Sequence, residues 1–97
     1  TGDKISADEA EEMKMIYRAI NDEDFDKTVM NFAEKLSKMP TKALGLTKKA
    51  VNCGYNNTLQ EQLDLEENLQ NEAGQTVDFN EGVQAFLEKR TPKFKGK

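Results

Sequence analysis

Apolar residues fall at helical spacing along most of this chain. Ser6-Ala7-Asp8-Glu9 is a capping box, with Ser6 as N-cap and Glu9 at N3. It predicts a short helix through Met13 or Lys14. Met15-Ile16-Tyr17-Arg18-Ala19-Ile20 then reads as a short extended segment whose Ile16 and Ile20 share one face. Asn21 with Asp22, Glu23 and Asp24 supplies an N-cap and negative charge for a second helix. In that helix Phe25, Val29, Phe32, Ala33, Leu36 and Met39 recur at i, i+4, i+7, i+8, i+11 and i+14. Pro40 ends it, because the residue before a proline is disfavoured in helix.

A third helix is expected from about Thr41 to Asn52, with Ala43, Leu46 and Ala50 on its apolar side and Gly54, Asn56 and Asn57 as its stop. Thr58 and Glu61 form another capping box, and Leu59, Leu63, Leu65, Leu69 and Ala73 carry the fourth helix to Gly74. The last helix opens at Asp78, with Glu81 three residues on, and stops before Pro92. The fold class is therefore all-α, one small multi-helix domain over 1–97 with one short extended segment near its start. A lone strand has no ladder partner. It either pairs with a segment missing from this chain, which would make the chain a piece of something larger, or lies against the helices as loop.

Composition narrows the function classes. The 97 residues are 36% hydrophobic and 33% charged, with no Trp, so only a small core can form and a partner surface is expected. There is no His, which excludes a Ser-His-Asp triad, a Cys-His pair or a His-ligated zinc site made wholly by this chain. One cysteine, Cys53, excludes an internal disulfide and fits a reducing, intracellular setting, here taken as cytoplasmic. No window is apolar enough to span a membrane, and no signal-peptide pattern opens the chain. It begins with Thr1 and not Met, which reads as a chain cut or engineered.

The net charge of −4 is unevenly placed. Residues 1–26 hold nine acids against Lys4, Lys14 and Arg18, while 89–97 hold Lys89, Arg90, Lys93, Lys95 and Lys97 with no acid. The balance argues against nucleic acid, which wants a broad basic face, yet the tail could hold a small phosphorylated ligand. Asp22, Asp24 and Asp26 mimic the start of a calcium loop. Lys27 and Ala33 stand where that loop needs Gly and Glu, so they read as helix N-terminal acids and no metal is expected. Cys53 has only Lys48 and Lys49 near it and reads as a small residue at a helix end. Glu66 interrupts the apolar face of the fourth helix. Burial would suit it as a general base, but an ion pair inside the domain is the expectation. Met13, Met15, Met30 and Met39 read as adaptable contact surface. Phe86 and Lys89, at i and i+3, share a face, as an adenine with a phosphate would need. On spacing alone, a core Phe and a solvated tail are the alternative.

The string Asp78-Phe79-Asn80-Glu81-Gly82-Val83-Gln84-Ala85-Phe86-Leu87-Glu88-Lys89-Arg90-Thr91-Pro92-Lys93-Phe94 resembles the closing signature of the enoyl-CoA hydratase/isomerase (crotonase) family. Ile5-Ser6-Ala7-Asp8-Glu9-Ala10, Pro40 with Ala43, Leu44 and Lys48, and Leu63-Asp64-Leu65-Glu66 follow in the order of that family. Within it, Leu63 to Glu66, Ala73-Gly74 and the ending Phe94-x-Gly96-Lys97 look most like the isomerase branch of phenylacetyl-CoA breakdown. One departure is Lys14, where relatives usually carry Gly, which puts the turn after the first helix in question.

The resemblance implies the C-terminal helical domain of a crotonase-like fold, whose larger α/β core carries the oxyanion-hole amides and the catalytic carboxylates. The longer enzyme would hydrate or isomerise enoyl-CoA thioesters, with coenzyme A entering as part of the substrate and no resident cofactor. The chain itself would hold no catalytic residue. Phe86 and Lys89 match positions that approach the CoA adenine and 3′-phosphate, with Arg90 and Lys93 added by proximity. The longer enzyme would be a trimer or hexamer, and the isolated chain an oligomer, with swapped helices as one route to it. The rival reading is a free-standing helical protein-interaction module.

Overall fold

The computed structural model describes residues 2–97. Its elements, in order, are α1 (Ala7–Glu12), α2 (Asp22–Ser37), α3 (Thr41–Cys53), α4 (Leu59–Gly74) and α5 (Val77–Leu87), with no strand among the described residues. The chain divides into two compact units, Thr1–Ala33 and Glu34–Lys97. No helix is long and apolar enough to cross a membrane among the described residues.

In the first unit the Ser6–Glu9 capping box forms as the spacing predicts. The Glu9 carboxylate accepts the Ser6 N–H at 2.8 Å, and Ser6 Oγ accepts the Glu9 N–H at 3.2 Å. The helix then closes in a Schellman turn, with Lys14 N–H bonded to Glu11 O and Met15 N–H to Ala10 O. Such a turn needs a left-handed residue, and Lys14 takes it at φ 61°. The turn questioned at Lys14 is made, with a side chain where glycine would be unstrained.

The expected extended segment does not form as such. Residues 15–17 bend, and only 18–20 run without helix or turn. The segment lies as loop against its own unit, because Glu11 Oε2 accepts the Ala19 N–H at 2.6 Å and the Tyr17 ring stacks on Phe32 at 5.3 Å between centroids. A helix side chain thus satisfies backbone that a ladder would otherwise have to satisfy. The α2 stripe is regular but open, with Phe25, Val29 and Phe32 all exposed.

In the second unit α3 packs on α4 and α4 on α5. The α4 start is set by Thr58 and Glu61, whose box is complete. Gln62, one residue on, donates to Ala50 O at the end of α3 and accepts from Asn57, which fixes the α3–α4 turn. Lys42 and Glu72 pair across the same two helices at 3.1 Å. Helix α5 begins one residue earlier than its acids suggest. Its N-cap is Thr76, whose Oγ1 accepts the Phe79 N–H at 3.0 Å, so Asp78 is freed from capping. Leu69 and Ala85 are the buried hydrophobic residues, and Thr76 and Asp78 the buried polar ones, among the described residues.

Two substitutions check this account by thermal melting followed in the far-UV circular dichroism. Lys14→Gly should stabilise the chain by about 1 kcal/mol by relieving the left-handed strain. Thr58→Ala should destabilise it by about 1 kcal/mol by removing an N-cap. Opposite signs would mean that these turns do not carry the strain and capping described.

Candidate functional site

The α5 periodicity sets Phe79, Val83, Phe86 and Leu87 along one side of the helix. Together with Pro40, Ala43 and Ala73 they line an open, almost wholly apolar cavity of about 400 Å³. Phe86 stands at its rim, 82% exposed, so it is not the core residue that its spacing also allowed.

Lys89 follows in a second Schellman turn. Lys89 N–H bonds to Phe86 O at 3.2 Å and Arg90 N–H to Ala85 O at 3.0 Å, with Lys89 itself at φ 53°. The next residue is held tightly. Arg90 gives Nη1 and Nη2 to the two Glu81 oxygens at 2.6 and 2.9 Å, a bidentate pair, and Nε to Glu88 at 2.6 Å. Arg90 is thus committed to carboxylates of its own chain.

The tail beyond it is not a loose basic end. Glu81 Oε1 also accepts the Lys93 N–H at 2.7 Å, and Asp78, 3% exposed, accepts the Lys95 and Gly96 N–H groups at 2.6 and 2.7 Å. Asp78 N–H in turn donates to Lys97 O. From Thr91 to Lys97 exposure alternates, with Lys93, Lys95 and Lys97 out and Pro92, Phe94 and Gly96 partly covered. This is the period of an extended chain with one face laid down. The Phe94 ring comes up against Gly82, and Gly96 sits so close to Thr41, at φ 74°, that a side chain there would collide with the Thr41 hydroxyl.

The Arg90 guanidinium, and then the Lys93 N–H, lower the Glu81 carboxyl from the usual 4.5 to about 2. Of the residues expected at a ligand site, Phe86 lies in the last turn of α5 and Lys89 in the turn that follows, joined by the backbone bond from Lys89 N–H to Phe86 O. The structure sets Lys93 on the outer face of the tail and ties Arg90 into the Glu81–Glu88 pair. The spacing reads Asp78 and Glu81 as helix-opening residues and the resemblance places them in its closing string; neither assigns them the anchoring of the tail. The available signal was two acids one turn apart with a basic, proline-containing stretch following. Glu66 is neither buried nor ion-paired as expected: it is exposed and takes the Gln62 amide at 2.7 Å. An α4 side chain near Gln62 finds a neutral partner one turn back before any cation. Cys53 is half-buried as the last residue of α3.

The sequence model of the family described as Enoyl-CoA hydratase/isomerase matches residues 1–97. Over 96 residues the chain is 46% identical to the 1,2-epoxyphenylacetyl-CoA isomerase of Escherichia coli, covering 99% of this chain and 37% of that one. It is 47% identical over 95 residues to a probable enoyl-CoA hydratase of Rhodobacter capsulatus, covering 98% and 37%. Among solved structures, an enoyl-CoA hydratase from Geobacillus kaustophilus superposes with a TM-score of 0.90 at 32% identity, over 99% of this chain and 36% of its own. The chain thus spans little more than a third of the relatives it matches.

Two measurements test the tail's anchorage. Asp78→Ala leaves two partly buried N–H groups without their acceptor and should destabilise the chain by about 2 kcal/mol in urea. A folded pKa below the unfolded one means that the Glu81 contribution is complete above about 4.5 and is lost as pH falls toward about 2. The Lys93 amide resonance should therefore titrate near pH 2; a midpoint near 4.5 would show that Glu81 does not hold Arg90 and the tail.

Proposed function

The chain belongs to the enoyl-CoA hydratase/isomerase family, and on that premise we propose that it is the C-terminal helical part of an enzyme acting on enoyl-CoA thioesters. Its role there is to contact the coenzyme A portion of the substrate and to join subunits. The observation that carries the reading is Phe86, a large ring left 82% exposed at the rim of an apolar cavity, with Lys89 one turn on. Apolar rims with a few convergent polar groups suit small ligands. The ring packs against the adenine, and the Lys89 ammonium pairs with the 3′-phosphate. Lys93 adds charge from the tail. Arg90, already shared between Glu81 and Glu88, supports the site and does not lend its guanidinium to the ligand.

Catalysis is assigned elsewhere in the longer enzyme. The carboxylates nearest the cavity are spent: Asp78 on the Lys95 and Gly96 amides, Glu81 on Arg90 and Lys93. Neither is free to move a substrate proton. No resident cofactor is invoked, since coenzyme A arrives with the substrate, and the setting is cytoplasmic. The longer enzyme is read as a trimer or hexamer. The isolated chain leaves Phe25, Val29, Phe79, Phe86 and Leu87 uncovered, which supports its self-association and also the rival reading as a protein-interaction module. The module needs no coenzyme A.

In the full enzyme, Lys89→Ala should raise the KM for a CoA thioester about tenfold with kcat little changed, the loss of one charge-assisted bond. An unchanged KM would remove Lys89 from the site. The isolated chain should show no hydration or isomerisation of an enoyl-CoA thioester and should sediment as an oligomer; a lasting monomer would count against the subunit-joining role.

A further inference from the structure

Lys89 holds a backbone conformation that glycine adopts freely and a lysine adopts at a cost, and the flanking contacts keep it there. The turn's own two hydrogen bonds close on Phe86 O and Ala85 O. The residue immediately after Lys89 is then gripped from two directions, by both oxygens of Glu81 and by Glu88. The same Glu81 oxygen that meets Arg90 Nη1 takes the Lys93 N–H, so one carboxylate pins the chain on the far side of the turn as well. An ion pair with this fork-on-fork geometry fixes direction as well as distance.

We propose that Glu81 is a positioning residue for Lys89. Acting through Arg90, it locks the left-handed turn and thereby sets where the Lys89 ammonium is presented to the phosphate of coenzyme A. This rests on the Phe86–Lys89 reading above and adds to it the residue that makes the contact possible. Glu81 touches no ligand; its effect passes through Arg90. The turn is also a place where function opposes stability. Glycine would hold the turn without strain and would present nothing to a phosphate.

The test compares coenzyme A with dephospho-coenzyme A, which lacks the 3′-phosphate, in calorimetric titrations of the full-length enzyme that carries this chain. The enzyme should prefer coenzyme A by about tenfold, the worth of one charge-assisted contact. Lys89→Ala and Lys89→Gly should both reduce that preference to less than about twofold, with Lys89→Gly melting at a higher temperature than the unaltered enzyme. Glu81→Gln should reduce it equally and should shift the Lys89 Cα resonance away from its left-handed value. Arg90→Lys keeps the charge, loses the fork, and should behave as Glu81→Gln does. Thr58→Ala loosens the fold away from the turn and should keep the preference, which separates positioning from general destabilisation. A preference that survives both Glu81→Gln and Arg90→Lys, with the Lys89 resonance unmoved, would overturn the positioning role alone. No preference in the unaltered enzyme would overturn the Lys89 contact itself, and this inference with it.

Discussion

Two carboxylates one turn apart on α5, Asp78 and Glu81, bind the end of the chain to the rest of the second unit. Between them they accept three backbone N–H groups of the tail and the Arg90 guanidinium, and the Asp78 N–H closes the circuit on Lys97 O. The Lys95 and Gly96 N–H groups would otherwise lie partly buried without a partner. The path of the tail, the face on which its lysines lie and the contact of Phe94 with Gly82 all follow from that anchorage. Helix α5 is thus less a packed core element than a bar to which the last residues are tied.

That arrangement explains how a chain with so little buried apolar surface keeps a definite end. Leu69 and Ala85 are the buried hydrophobic residues among those described, while whole apolar sides of α2 and α5 stay open. Polar connections do the local fixing instead: Gln62 across the α3–α4 turn, Thr76 at the start of α5, Lys42 with Glu72 between helices. Exposed ion pairs contribute little each, so the half-covered, bidentate Glu81–Arg90 pair and the buried Asp78 outweigh the others.

Helices α1 and α5 end in the same turn, and both place a lysine where glycine is the easier choice. Lys14 lies in a loop held by Glu11 and Tyr17, and nothing in the structure gives its side chain a task. Lys89 sits one turn from an exposed ring and beside a clamped arginine. The same backbone device meets different surroundings in the two places, a loop at Lys14 and an exposed ring with a clamped arginine at Lys89.

The sequence by itself determined the helices and the family. Capping boxes at Ser6 and Thr58, the α2 stripe and the break at Pro40 are local, and local signals survive without tertiary context. The closing string from Asp78 to Phe94 carries the family resemblance, and within it Glu81 meets both Arg90 and the Lys93 amide. Tertiary structure decided the rest. Asp78 reads as a helix opener until the tail, nearly twenty residues later, comes back to it. Glu66 reads as an ion-pair member until Gln62 is seen to be nearer. Met15 to Ile20 reads as a strand until Glu11 takes its amide. In each case a polar group's partner lies far along the chain or around a turn, and hydropathy spacing holds no information about which polar group it will meet.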